Sequence, residues 1–416
     1  MLYCFQTNRF APSEQERTKS MARIWYIDSA AKGGNGLTPE APLSTWDGLT
    51  LLPGDTILLK RGSLFRKSIL SPSGEPGAPI VWGAYGEGNA PVISGSLDCS
   101  SPENWSEISD GIWEAKGLPR DEICALFFNS GTSFGTLRWD PSELKDPGDW
   151  YFSYYASNGK IPADAKLQLL VAAPENPGSY WSDIEVAPYR DRRLASAQHD
   201  VTIRDIAFKN AGIHGFAATD TARISILRCR FENIGGGVWS AKLKIRFGNG
   251  IEFWNSAEDN RVEDCAFIQI YDSAVTHQGG GEYPVPRRLS YRRNFFACCG
   301  MAAYEIRDVI PFDTVFEDNI CLEAGTGFAE QGDLVPRRSE IWPQPMGHHL
   351  FVWRIEKPTP GGRILIKHNT FGSSPVGSAE YSIIAPEAEA QILFEDNTYL
   401  TPSDTTLFRC GAYQRP

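Results

Sequence analysis

The second half of the chain repeats one pattern of apolar and polar positions, short runs of period two broken at a fixed point by a charged or polar residue. It reads IRDIAFKN (203–210), ISILRCRF (224–231), RVEDCAFI (261–268), YRRNFFAC (291–298), FEDNICLE (316–323), IKHNTFGS (366–373) and FEDNTYLT (394–401). Period-two alternation of this length predicts half-buried strands. Aligned on the break, the lines stack Ile206, Cys229, Cys265, Asn294, Asn319, Asn369 and Asn397. Two residues further on they stack Phe208, Phe231, Phe267, Phe296, Cys321, Phe371 and Tyr399. Successive ladder positions lie 23, 36, 29, 25, 50 and 28 residues apart. A bare unit of about two dozen residues, with longer units carrying insertions, is what a solenoid of parallel β coils requires. Asn suits a tight bend in which each amide bonds to the equivalent residue one coil away.

A second strand-like segment follows each aromatic position: GIHGFAAT (212–219), NGIEFWNS (249–256), DSAVTHQG (272–279), MAAYEIRD (301–308) and TGFAEQGD (326–333). Equivalent residues on neighbouring coils stand about 4.8 Å apart, so the alignment doubles as a ruler. It predicts that His214, Glu252, Asp272 or His277, Glu305 or Asp308, and Glu330 or Asp333 gather on one face. Insertions flank the same segment, with VWSAKLKIRF (238–247) before it and GGGEYPVPRR (279–288) and GDLVPRRSEIWPQPMGHH (332–349) after it. Loops on one face of a solenoid build the walls of a groove.

The N-terminal region is more specific. WYIDSAAKGGNGLTPEAPLSTWDGLTLLPGDTILLKRG, followed by GAPIVWGAYGEGNAPVISGS, resembles the opening of right-handed parallel β-helix proteins of the pectate-lyase-like superfamily. GDWYFSYY and APENPGSYWSDIEVAPYR resemble a small β-rich insertion of its carbohydrate-active members. The resemblance implies an all-β right-handed parallel β-helix with an insertion after the first coils. The expected parts are a disordered leader (1–22), a cap with first coils (23–99), the insertion (100–192), the main helix (193–401) and a tail (402–416). It implies a carbohydrate substrate and leaves the reaction open, since lyases, hydrolases, epimerases and tailspikes share the superfamily.

Composition narrows the partners. The 416 residues are 42% hydrophobic and include 39 glycines and 28 prolines, which suits a large β core joined by turns. A net charge of -11 counts against nucleic-acid and anionic-membrane partners. No run approaches the roughly 20 apolar residues of a membrane span. The first twenty residues hold no apolar run of secretory type, and nine cysteines, an odd number, do not read as an oxidised framework. The expectation is a cytoplasmic monomer whose partner is an oligo- or polysaccharide.

Glycoside hydrolysis needs two carboxylates, and neighbouring coils supply Glu252, Asp272 and Glu305. The apolar flanks of Glu252 in GIEFW mark it as the protonated general acid, with Asp272 or Glu305 as its ionised partner. Glu305 in AAYEIRD has similar flanks. His277, Lys244, Arg246, Arg307 and Glu330 are candidates for binding substrate, and Trp239, Tyr283 and Trp342 for stacking on a sugar. The acids of the repeating EDN and EDC phrases read as solvated turn positions. No zinc-type set of ligands is present and no cofactor is expected, with calcium left open. Two alternatives stand beside the hydrolase. One is a uronate lyase using Lys244 and the paired arginines, and the other is a non-catalytic tailspike-like binder.

Overall fold

The computed structural model describes residues 22–156, 161–189, 193–279, 281–330, 346–400 and 408–410. Among them, strands pair in parallel from coil to coil. A nine-stranded sheet runs from Leu64–Phe65 to Thr398–Tyr399, and an 18-stranded sheet wraps the remaining faces. In the larger sheet one row leads through Arg261–Glu263, Ser290–Arg292, Thr314–Glu317, Ile364–Lys367 and Ile392–Glu395. Another leads through Ile251–Glu258, Ser273–Gln278, Ala302–Arg307 and Leu350–Ile355. The long strand His214–Leu227 belongs to both. This is a parallel β-helix, the fold class that the repeat implied.

The two predicted ladders are present. Asn294 N–H donates to Asn319 Oδ1 at 2.9 Å, Asn319 N–H to Asn369 Oδ1 at 2.9 Å, and Asn369 N–H to Asn397 Oδ1 at 2.9 Å. Each amide side chain also donates to a main-chain carbonyl, as Asn319 does to Tyr291 O at 3.0 Å. Beside them the rings of Phe208, Phe231, Phe267 and Phe296 stack at 4.9, 5.0 and 5.1 Å. Asn319 is buried. Removing its amide strands a buried donor and a buried carbonyl, so Asn319→Ala is expected to cost about 3 kcal/mol, read as a fall in Tm.

The residue before each ladder position is left-handed. Asp205, Arg228, Asp264, Arg293, Asp318, His368 and Asp396 have φ between 49° and 60°. Asp tolerates that region better than other non-glycine residues. The charges alternate along the stack, and the arginines reach back to the acid of the preceding coil, Arg228 to Asp205 and Arg293 to Asp264 at 2.8 Å. A second such column pairs Arg223 with Asp200 and Arg288 with Asp259. Asp200, Asp205, Asp259 and Asp264 are therefore paired with arginines, and Arg288 and Arg293 are two of the paired arginines that the lyase alternative draws on. Exposed pairs of this kind contribute little energy each; their consequence is that these arginines are already engaged.

Leu97–Pro188 leaves the helix and forms two small sheets, one of four strands and one of five. They enclose a core of their own around Trp105, Phe128, Trp150, Trp181 and Val186. Arg66 fastens this unit to the coils through a bidentate pair with Glu185 at 2.7 and 2.8 Å. Cys99, Cys124, Cys229, Cys265, Cys298, Cys299 and Cys321 are all free thiols. Cys4 and Cys410 lie outside the described side chains.

Candidate active site

In the second row of strands, Ile251, Phe253, Val275, Tyr304, Ile306 and Val352 point into the apolar core. Alternation then turns their neighbours outward. The register aligns Ala217, Glu252, Thr276, Glu305 and Phe351 in one outward line. Two residues further along each strand, Trp254 pairs with Gln278 and Arg307 with Trp353. Although they face away from the core, Glu252 and Glu305 are only 3% and 2% exposed. Two strand spacings separate them, roughly 9–10 Å between Cα atoms.

Burial pushes the Glu305 carboxyl up to about 8. Arg307 pulls the other way, and the charges of Asp272 and Glu252 reinforce the rise. The Arg307 guanidinium carbon lies over the Trp353 ring, 4.8 Å from its centre, with Nη1 3.8 Å from Glu305 Oε1. It stops short of a hydrogen bond to that oxygen. Gln278 Nε2 donates weakly to Glu305 Oε2 at 3.5 Å. Glu252 has different company: Asn249 Nδ2 donates to its Oε2 at 3.1 Å, and His214 Nδ1 lies 3.1 Å from the same oxygen. Asp272 sits half-buried just before the Ser273–Gln278 strand, its charge felt at Glu305. Glu252 and Glu305 thus share one face, near enough to Asp272 for its charge to act on Glu305, whose carboxyl is pushed up by burial.

Several sequence expectations need correction. The sequence marked Glu252 as the protonated acid, and the carboxyl that burial pushes up is that of Glu305. His277 does not face the site. It follows Thr276 by one residue, so alternation turns it into the core, where it is fully buried. There its Nδ1 meets the Tyr304 hydroxyl at 3.1 Å and its Nε2 meets Val309 O at 3.3 Å. Burial pulls its pKa down to about 4.

Arg246 is buried too. It donates from Nε to Gly236 O at 2.6 Å and from Nη2 to Cys124 O at 2.7 Å, and it covers the Tyr271 ring. It joins the Leu97–Pro188 unit to the coils and presents no free cation to a substrate. Glu330 is off the row as well. TGFAEQGD does not supply the next strand; that strand is Leu350–Ile355, and Gly327–Ala329 forms a short turn whose N–H at Gly327 is received by Glu330.

Lys244 and Trp239 belong to a hairpin of Gly237–Ser240 with Ile245–Phe247. Val238 packs into the core of the Leu97–Pro188 unit, while Trp239 is 47% exposed and Lys244 lies exposed at the turn. Tyr283 is likewise exposed in its loop. Trp342 and Asp333 lie outside the described residues. Asn249, Thr276, Gln278, Trp254 and Trp353 were not singled out by the sequence. The signal for Trp353 was the alternation in LFVWRI, whose first four residues pair with Tyr304–Arg307 one coil earlier.

Among the described residues, Glu317, Asp318 and His368 bring ligand atoms within 4.8 Å of one another. Glu317 is already held by Lys367 at 2.7 Å and Arg292 at 3.1 Å, so the cluster is a node of the charge columns.

No protein-family model matches the chain, and no curated protein does. Solved structures similar to it include a glycoside hydrolase at 11% identity and TM-score 0.49, covering 92% of this chain and 98% of that one. An alginate lyase from Paenibacillus sp. str. FPU-7 shares 10% identity at TM-score 0.42, covering 93% and 98%. A polygalacturonase from Erwinia carotovora ssp. carotovora shares 8% at TM-score 0.43, covering 94% and 96%. Likenesses this distant do not assign an activity, and the architecture rests on the strand register of the chain itself.

Proposed function

We propose that the protein is a carbohydrate-active enzyme that hydrolyses glycosidic bonds. The observation that carries this reading is Glu305, a buried carboxyl in register with Glu252 two strands away and pushed up to about 8 by burial and by the charges of Asp272 and Glu252. Paired acids whose surroundings separate their protonation are the mark of acid and base roles. A purely binding protein has no use for such a group.

In the proposed reaction Glu305 gives its proton to the glycosidic oxygen as the bond from that oxygen to the anomeric carbon breaks. Glu252 takes a proton from a water molecule whose oxygen forms the new bond to the same carbon. The protons balance, one leaving Glu305 and one arriving at Glu252, and solvent exchange resets both. Their Cα atoms stand two strand spacings apart, and inversion would require the carboxyl groups themselves to lie about 6.5–9.5 Å apart to leave room for that water. Asp272, nearer Glu305 in effect, raises its basicity. Trp254, exposed beside the acid row, offers a ring face to a sugar.

A second reading, β-elimination from a uronate, draws on Arg307, whose cation lies beside Glu305 and could hold a substrate carboxylate. Its other cations fit less well. Arg246, Arg288 and Arg293 are engaged with the protein, and His277 is sealed in the core.

Incubation with a panel of neutral and uronate-containing glycans separates the two. Hydrolysis is expected to release reducing ends without an ultraviolet-absorbing unsaturated product, and proton NMR of the first product is expected to show the inverted anomer. An unsaturated product would establish the lyase instead.

A further inference from the structure

The segment GIHG puts His214 at the head of the long His214–Leu227 strand, and GNGIE puts Asn249 three residues before Glu252. The fold brings these three side chains together. The backbone N–H of Asn249 donates to His214 Nδ1 at 3.1 Å, and that same Nδ1 stands 3.1 Å from Glu252 Oε2. The Phe247 ring packs edge-on against the imidazole at 5.7 Å. A ring nitrogen that accepts an N–H presents a lone pair, and a carboxylate oxygen presents only lone pairs. The single lone pair of Nδ1 cannot serve both contacts, so the approach to Oε2 is favourable when one proton, on Nδ1 or on Oε2, lies between these two atoms in place of the Asn249 N–H.

We infer that His214 and Glu252 form a dyad around one shared proton, with His214 the positioning residue for the base of the proposed hydrolysis. Oε2 is occupied by the shared proton and by Asn249 Nδ2, which leaves Oε1 as the oxygen that receives the proton of the attacking water. When the shared proton sits on the imidazole, Glu252 is ionised beside a protonated Glu305, the distribution that the reaction needs. When it sits on Glu252, the base is blocked. Among the described residues, charged neighbours of the imidazole include Glu252 on one neighbouring strand and Arg193, in register with it, on the other. Asp272 and Glu305 lie beyond Glu252 along the same face. Coupled groups of this kind titrate as a pair. The role of the base rests on the hydrolase reading, whereas the shared proton does not.

His214→Asn tests the positioning role. The asparagine amide occupies the place of Nδ1 and can still meet Asn249 and Glu252, but it cannot titrate. On a glycan that the wild type cleaves, kcat is expected to fall by about 10–100-fold with KM nearly unchanged. The acidic limb of the pH profile is expected to move toward neutrality, because the imidazolium no longer favours the ionised base. A structural role alone would lower Tm and kcat without moving that limb, and an unmoved limb overturns the inference.

Nitrogen-15 NMR of histidine-labelled protein needs no substrate. Of the six histidines, the His214 Nδ1 resonance is expected to report a shared proton that Glu252→Gln abolishes. A resonance unaffected by Glu252→Gln overturns the dyad. If no glycan is cleaved, the hydrolase reading falls while the NMR measurement still decides whether the proton is shared.

Discussion

Glu305→Gln is expected to lower turnover by about 10²–10⁴-fold, the loss typical of a missing general acid, and at the same time to make the protein more stable at pH 7. The second effect follows from the raised carboxyl. Its ordinary value is 4.5, and burial holds it at about 8 in the folded chain. Below pH 4.5 both folded and unfolded chains keep the proton, and folding carries no penalty. As pH rises past 4.5 the unfolded chain ionises freely, while the folded chain cannot until about pH 8. Stability is therefore lost across that window and is then constant. At pH 7 the accumulated cost is about 3 kcal/mol, which a neutral glutamine avoids. Thermal melts at pH 7 and pH 4 check the sign, since the variant should melt higher at pH 7 and together with the wild type at pH 4. A variant less stable than the wild type at pH 7 would show that Glu305 is held ionised by its neighbours. Gain of stability on losing a functional group is expected where a site is built at the expense of the fold.

Glu252→Gln is expected to reduce kcat by about 10²–10³-fold and also to reach Glu305. Removing one of the two charges that raise the Glu305 carboxyl lets it ionise more readily. The basic limb of the residual activity should therefore move to lower pH, by less than one unit. Asp264→Asn is the control, because Asp264 is an exposed partner of Arg293 in the charge columns. Its rate profile should match the wild type, with stability changed by less than about 0.5 kcal/mol. A Glu252→Gln enzyme with full activity would remove Glu252 from the reaction and leave Asp272 as the partner of Glu305.

Much of this arrangement is legible along the chain. The Asn ladder and the aromatic ladder can be read from spacing alone, because a solenoid repeats one environment at each coil and so repeats the residue that suits it. The bonds from Asn294 through Asn397 are the consequence of that repetition. Glu252 and Glu305 are also legible as a pair, since each lies in the strand-like segment that follows its aromatic position, Glu305 11 residues after Asn294 and Glu252 23 after Cys229 with an insertion between.

The departures from expectation have local causes. Glu330 falls off the row because a 50-residue interval hides where its coil resumes, and LFVWRI rather than TGFAEQGD supplies the strand. His277 misses the site by a single residue, which in a period-two strand is the difference between solvent face and core. Arg246 reads as free in the sequence because main-chain acceptors leave no mark on side-chain pattern, and one of the two carbonyls that hold it belongs to Cys124, far away in the chain.

Periodicity is a property of neighbours along the chain, and so the coil, its two ladders and the row on which acids collect all follow from the order of the residues. Which acid keeps its proton does not. The Glu305 carboxyl is pushed up by burial and by charges that come from other coils. Asn249 and His214 meet Glu252, whereas Glu305 faces two other carboxyl groups across the coils. A proton's affinity depends on the charges and donors within a few ångströms in space, and the chain brings those together only by folding.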